Sequence, residues 1–247
     1  MLNVLLPMAG NSPLAEELGY PYPSSLVEIG GLPLIQRVIQ NLNALDDKIT
    51  LIAVLRAEDC RRFHLDSTIK LLAGNSAHFV TVQKETAGAL CSILLAIEFI
   101  YNDDPLIVAN TDQVFDNGVL RSFMQQVESL EPDAACPTFD SVHPRWSFLR
   151  INDGRVVEAL EKNPMSRQAV AGLYYFKSGK AFADAAMRAV LNGRDTDGRF
   201  FVSAVLNEYI LDEKSVVSIP IECSSFHSFF TAQRVVEYEQ RARALNG

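Results

Sequence analysis

The amino-acid sequence predicts an α/β fold, a mostly parallel sheet flanked by helices with an antiparallel section in the C-terminal part. Three observations predict it. Short apolar runs rich in β-branched residues alternate with amphipathic segments through the first 140 residues. Those runs are apolar almost throughout, as strands buried on both faces are. After residue 140 the rhythm changes, and a strong hairpin signal appears at Asn152-Asp153-Gly154, residue types that tolerate positive φ.

In order along the chain, the candidate strands of the first part are Leu2–Leu6, Ile49–Leu55, His78–Val82, Pro105–Ala109 and Ala134–Thr138. Helical patterns lie between them at Pro33–Leu42, Ala57–Leu72, Ala87–Tyr101 and Gly118–Leu130. Pro33 suits a first helical turn, where its missing N–H would be unpaired anyway. In the second part, Trp146–Ile151 and Arg155–Glu161 flank the hairpin turn, and Ala169–Phe176 reads as a further strand. Helices follow near Gly179–Leu191 and Phe200–Leu211, then late strands at Ser215–Pro220 and Glu222–Phe226. Thr231–Leu245 is a charged closing helix, most simply a solvated face and alternatively a subunit contact that would make an oligomer. No repeat, low-complexity tract or linker divides the 247 residues, which read as a single domain.

Composition narrows the function classes. Hydrophobic residues make up 48% and charged residues 21%, ordinary for a globular α/β chain. A net charge of -8 argues against a broad nucleic-acid surface, which needs clustered Lys and Arg. A small phosphorylated ligand remains compatible, since backbone N–H groups and a metal ion can hold it. Cys60, Cys91, Cys136 and Cys223 are widely spaced, form no CxxC pair, and read as reduced thiols. With no targeting segment and no run able to cross a bilayer, the expectation is a cytoplasmic protein without a membrane partner.

Ligands of open parallel sheets bind beyond the carboxyl ends of the strands. The loop after the first strand, Pro7-Met8-Ala9-Gly10-Asn11-Ser12-Pro13-Leu14, can present backbone N–H groups to a phosphate, or be an ordinary turn. The loop Gln83 to Leu90 offers an amide for a base edge at Gln83 and close approach at Gly88, or simply a helix cap at Thr86. Asn110-Thr111-Asp112-Gln113 places a carboxylate just past a buried strand, where Mg²⁺ is held against a phosphate. A helix-capping role competes there, with Asp116 as its rival candidate. Glu161-Lys162 can meet a phosphate or sugar hydroxyl, or be a surface pair, and His143 reads as a loop histidine. No G-x-S-x-G elbow supports a nucleophilic serine.

Taken in succession, several segments resemble the sugar-phosphate nucleotidyltransferase family. They are Leu5-Leu6-Pro7-Met8-Ala9-Gly10, Gly19-Tyr20-Pro21-Tyr22-Pro23 and Leu26 to Ile35, followed by Thr86-Ala87-Gly88-Ala89 and Ala109 to Gln113. Gly154 to Val157, Glu161-Lys162 and Ala171 to Phe176 complete the series. The similarity spans nearly the whole chain and is closest to small bacterial members associated with capsule and surface polysaccharide. It implies a Rossmann-like sheet that joins a nucleoside triphosphate to a sugar phosphate with Mg²⁺ and releases pyrophosphate. Residues 1–140 would then form the nucleotide-binding part and 141–247 the sugar-binding part.

By position, the resemblance assigns nucleotide contacts to Pro7, Met8, Ala9, Gly10, Gln83, Thr86, Gly88 and Asn110. It assigns the metal and catalysis to Asp112, catalysis also to Lys162, and the sugar to Trp146, Glu161, Lys162 and Gly172. The chain departs from the family pattern at three places. Asn11-Ser12-Pro13-Leu14 stands where a glycine-rich loop ending in Arg is usual, and Ser24-Ser25 follows Pro23 where a Lys is usual. Phe226 to Gln233 contains no carboxylate where a second metal-binding Asp is usual. Three readings follow: a divergent nucleotidyltransferase, a non-catalytic nucleotide- or sugar-nucleotide-binding protein, and a related glycosyltransferase using an activated sugar. Lys84, Arg145 or another basic residue is available to replace the missing cations, and His227 the missing ligand.

Overall fold

The structure, a computed structural model, describes residues 1–10, 13–74 and 76–246. Asn11 and Ser12 of the first loop lie outside the described residues. The first part runs β1 (Leu2–Met8), α1 (Leu14–Glu17), β2 (Glu28–Ile29), β3 (Leu32–Pro33), α2 (Leu34–Leu42), β4 (Ile49–Arg56), α3 (Ala57–Phe63), α4 (Leu65–Ala73) and β5 (Ala77–Val82). It continues with α5 (Ala89–Leu94), α6 (Ile97–Ile100), β6 (Leu106–Ala109), β7 (Gln113–Phe115), α7 (Val119–Leu130) and β8 (Ala134–Asp140). The second part contains β9 (Ser147–Asn152), β10 (Arg155–Glu161), β11 (Gln168–Val170), β12 (Leu173–Phe176), α8 (Gly179–Leu191) and α9 (Ser203–Leu211). It closes with β13 (Val216–Pro220), β14 (Phe226–Ser228) and α10 (Ala232–Asn246).

β5, β4, β1 and β6 lie side by side and parallel. β12 is antiparallel and joins β6 to β8, and β13 runs parallel along β8. β11 pairs with β8 and touches β9, which forms the predicted hairpin with β10. The hairpin turns at Asp153 and Gly154, with φ of 47° and 77°, the positive values a tight two-residue turn requires. The mixed sheet, mostly parallel at its centre and antiparallel toward the C-terminal part, is the architecture expected from the sequence.

Alternation along the central strands explains their apolar character. Val4, Leu6 and Met8 of β1 belong to one core layer with Val38 of α2, Ile69 of α4 and Phe123 of α7. Leu5 faces the other layer, with Ile93 of α5, Phe182 of α8 and Leu206 of α9. Each fully buried aliphatic side chain of this kind contributes about 1.5–3 kcal/mol.

Several elements differ from the sequence expectation. Pro33 lies before the helix, with ψ 140°, and α2 starts at Leu34, whose N–H is taken by the Val27 carbonyl. The 57–72 helix breaks at His64, which adopts φ 52° between α3 and α4. The 87–101 helix is two short pieces, because Leu95 and Ala96 bond to Ser92 and Ile93 in tighter three-residue turns. The 169–176 strand is interrupted at Ala171-Gly172: Val170 faces Thr138 and Tyr175 faces Ala135, five residues against three. This is a bulge, with Gly172 at φ 59°. The 222–226 segment is a 3₁₀ turn (Cys223–Ser225) leading into β14, which pairs with β7. The closing helix is not wholly solvated, since Val235 is buried and Tyr238 packs against Phe229.

Candidate functional site

A cleft of about 630 Å³ opens where the parallel strands β1, β4 and β6 end, the ligand edge of such a sheet. Pro7, Met8 and Gly10 line it from β1, Arg56 and Asp59 from β4 and α3, and Asn110, Thr111 and Asp112 from the loop after β6. Ala9, also expected here, packs instead into the core layer with Leu5. Tyr20 and Tyr22 stack with centroids 4.8 Å apart on the cleft wall, and Phe201 and Phe230 close it from the second part of the chain.

The two departures from the family's cation pattern are built into the fold. Leu14 is fully buried in the core. The Ser24 hydroxyl is buried and accepts a 3.0 Å hydrogen bond from the Ala15 N–H. The first helical turn and the Pro23–Leu26 turn are thereby latched together. Ser25, which lines the cleft, buries a hydroxyl with no hydrogen-bond partner among the described residues.

The Asp112 loop is tied at three points. Asn110 N–H donates to the Gly172 carbonyl at 2.8 Å, the buried Gln113 amide donates to the Ala171 carbonyl, and Phe229 N–H donates to the Asp112 carbonyl at 2.7 Å. Gly172 is a close-approach position, since a Cβ there would lie 2.3 Å from Gln113 Oε1 and 2.6 Å from Asn110 Nδ2. The glycine expected at the sugar is thus buried beneath the Asp112 loop, with Asn110 and Gln113 occupying the space beside it.

Burial pushes the Asp112 carboxyl above its ordinary pKa, and the Arg145 guanidinium opposes that rise. Arg145 lies between the Trp146 ring at 4.1 Å and the Phe230 ring at 4.3 Å. Its Nη2 donates to Ser228 Oγ at 2.9 Å. Burial lowers the Arg145 pKa, and the Asp112 charge counteracts that effect.

The remaining sugar-side residues divide. Lys162 is exposed, has φ 55°, and holds its Nζ 5.1 Å from the centre of the Phe201 ring at the cleft's edge. Glu161 points inward and accepts hydrogen bonds from the Ser147 and Ser203 hydroxyls, so its carboxylate is engaged within the protein. Burial raises its pKa, against those hydrogen bonds and the Lys162 charge. Trp146 is half-buried against Phe139 and Phe226 and carries Arg145 on its face.

Gln83, Thr86 and Gly88 stand outside the lining of the cleft. Gln83 is exposed, and the Thr86 hydroxyl bonds to Ser92 Oγ and the Gly88 carbonyl rather than capping α5. Gly88 is where the Phe200 backbone passes, 2.5 Å from the place a Cβ would take. The close approach expected at this glycine is made by the chain itself.

Sequence reasoning did not find Arg56 and Asp59, a bidentate pair at 2.7 and 2.9 Å at the end of β4. The carboxyl-end rule applied to Leu55 would have found them. It had Arg145 only as one of several possible substitute cations, because its partners Ser228 and Phe230 are remote in sequence. Arg145 is not part of the cleft's lining; it lines a second cavity of about 470 Å³ together with Trp146, His227, Arg234 and Tyr238.

Of the two carboxylates that the resemblance implies for Mg²⁺, Asp112 lines the cleft and the second is replaced, since Phe226 to Gln233 contains no Asp or Glu. No group of three or more His, Cys, Asp or Glu side chains able to hold a metal ion occurs among the described residues. Ser228 lies in the segment expected to carry the second carboxylate and is bonded to Arg145. His227, the other substitute considered, is 2.7 Å from Asp116 instead.

Among the described residues no helix is long and apolar enough to cross a membrane. No curated protein sequence matches the chain. Many solved structures match the chain, and two of them, each at 19% sequence identity, illustrate the shared fold. One is a nucleoside-diphosphate-sugar pyrophosphorylase from Vibrio cholerae, with a TM-score of 0.84 over 96% of this chain and 99% of that one. The other, from Bacillus anthracis, is described as a glucose-1-phosphate thymidylyltransferase in complex with a sucrose, with a TM-score of 0.73 over 98% of this chain and 96% of that one. A family profile for the MobA-like NTP transferase domain matches residues 17–180, and the chain belongs to that family.

Proposed function

We propose that the chain binds a nucleoside triphosphate in the cleft and joins its nucleotidyl group to a sugar phosphate. A phosphate oxygen of the sugar attacks the α-phosphorus, the bond to the β-phosphate's bridging oxygen breaks, and pyrophosphate leaves. The observation that carries this reading is the cleft at the ends of β1, β4 and β6, with Asp112 held at its floor by the three ties described above. In this reading Pro7, Met8, Gly10 and Asn110, which line the cleft, meet the nucleotide. Lys162, whose Nζ lies near Phe201 of the cleft wall, meets the sugar phosphate in this reading. Residues 1–140 then serve the nucleotide and 141–247 the sugar, and the product would feed surface polysaccharide in a cytoplasmic setting.

One observation favours a second reading, a protein that binds a nucleotide or sugar nucleotide without turnover. Leu14 and Ser24 are locked into the fold where active relatives are expected to carry cations. Losing a single preorganised charge-stabilising group commonly costs about 10²–10³ in rate.

The deciding assay is pyrophosphate release from the four NTPs and dTTP, each with a panel of sugar 1-phosphates, with and without Mg²⁺. Turnover that disappears in Asp112→Ala supports transfer. Binding of a triphosphate with no turnover across the panel supports the second reading, and binding of neither substrate refutes both.

A further inference from the structure

The second cavity, of about 470 Å³, carries charge opposite in sign to the chain as a whole. The net charge of the chain is -8, yet three arginines, Arg145, Arg234 and Arg241, line this cavity against two carboxylates, Asp140 and Glu237. Both carboxylates are engaged: Asp140 accepts a 2.8 Å hydrogen bond from Arg167, which is not in the lining, and Glu237 accepts from Gln233 and Arg234. Arg241 bonds to Asp116 at 3.0 Å and to the Ser224 carbonyl, and His227 also meets Asp116.

Arg145 is the exception. Its guanidinium lies between the Trp146 ring at 4.1 Å and the Phe230 ring at 4.3 Å. Its one side-chain hydrogen bond among the described residues goes to a neutral group, Ser228 Oγ, at 2.9 Å, and it forms no ion pair there. A guanidinium has five N–H donors in one plane, so most of them are uncommitted. The elements around it converge. Arg145 and Trp146 lead into β9, Ser228 ends β14, and Arg234, Tyr238 and Arg241 recur along one face of α10. Burial lowers the Arg145 pKa and the Arg234 charge lowers it further, against the opposing charge of Asp112, so the two guanidinia repel each other across this space. A dianion bound between them removes that repulsion, and a weakly hydrated planar guanidinium matches the oxygens of a phosphate.

We propose that the second cavity is an anion site separate from the cleft, in which Arg145, with Arg234, holds the phosphate group of a small ligand. Phosphate accepts at the edge of the Arg145 plane, where the free donors point, while the rings fix that plane and Ser228 fixes its rotation. The volume suits a small molecule, since ligand pockets commonly run about 300–1,000 Å³. The inference does not rest on the reading of the cleft, and a nucleotide that failed to bind there would leave it standing.

The chain supplies its own reporter. Trp146 is the single tryptophan, lies against Arg145, and lines this cavity but not the cleft. The test is titration of the unmodified protein with inorganic phosphate and with glucose 1-phosphate, followed by Trp146 fluorescence and by calorimetry, with sodium chloride at equal ionic strength as the control. A saturable fluorescence change with phosphate and none with chloride is expected. Tighter binding of glucose 1-phosphate identifies a phosphorylated sugar as the source of the phosphate, and equal affinity identifies free phosphate; either upholds the site. Arg145→Met, which keeps an unbranched chain between the rings, should weaken binding about tenfold or more, as expected when a charged hydrogen-bond donor is lost. Arg234→Gln, at an exposed helix position, should weaken it less and serves if Arg145→Met fails to fold. Saturable heat with unmoved Trp146 fluorescence and undiminished affinity in the folded variants overturns the inference, because phosphate then binds elsewhere. No saturable binding of either probe overturns it as well.

Discussion

Replacing Gly172 by alanine tests the link between the strand bulge and the Asp112 loop. Gly172 has φ 59°, and the added Cβ would meet Gln113 Oε1 at 2.3 Å and Asn110 Nδ2 at 2.6 Å. The left-handed backbone alone costs an L-residue roughly 1–2 kcal/mol. Gln113 is 4% exposed and gives its amide to the Ala171 carbonyl, so pushing it aside leaves buried polar groups unpaired, at about 1–3 kcal/mol. Together these come to roughly 2–5 kcal/mol. At about 2–4 °C per kcal/mol for a chain of this size, the melting point should fall on the order of 10 °C. Gly154→Ala is the control, because Gly154 has φ 77° but open space around its Cβ position. It should show the backbone cost alone, roughly 4 °C. Melting of both variants by circular dichroism reads the difference. Equal shifts would refute the claim that Gly172 is required by the Asn110 and Gln113 contacts.

Other outcomes follow from the same structure. With Ellman's reagent, Cys223 should react first because it is exposed, while Cys136, whose thiol burial pushes up far above its ordinary pKa, should react only on unfolding; fast labelling of Cys136 would contradict its burial. Glu161 has a raised pKa from burial, so its contribution favours the fold below the ordinary carboxylate range and is lost as pH rises through the raised value. Glu161→Gln, which keeps an acceptor for Ser147 and Ser203, should therefore melt at or above the unmodified protein at pH about 7.5, with the gap closing below about pH 4. A gap that widens on acidification would reverse that sign. Phe182→Ala, at a fully buried ring 4.6 Å from that of Phe176, should cost about 3–5 kcal/mol in denaturant melts, and a loss below about 1 kcal/mol would deny its core position.

The elements legible in the sequence are those whose signal is local. β1, β4, β6 and β8 announce themselves as apolar runs because both faces are covered, and the β9–β10 turn is written in Asp153-Gly154. The elements that escaped depend on remote partners. β7 is three residues long and exists as a strand because β14 pairs with it, and β2–β3 is a hairpin of two-residue strands. The bulge at Ala171-Gly172 arises because Asn110 and Gln113 press against that point, which periodicity along residues 169–176 does not encode.

The candidate site divides in the same way. Pro7, Met8, Gly10, Asn110 and Asp112 follow from the rule that ligands meet the carboxyl ends of parallel strands, and the structure places them around one cleft. Gly88 and Gly172 carried a real packing signal, but the groups approaching them belong to the protein. The environment of Arg145 needs Trp146, Ser228 and Phe230 together in space, and no spacing in the sequence expresses that.

The central claim, that the cleft at the ends of β1, β4 and β6 is the nucleotide site, is tested most directly by hydrogen-exchange mass spectrometry of the protein with each triphosphate at saturating concentration. The account predicts slowed exchange in peptides covering residues 8–10 and 110–113, with little change along the solvent face of α7 (Val119–Leu130). Protection confined to residues 223–241, around the second cavity, would place the nucleotide elsewhere and contradict the account.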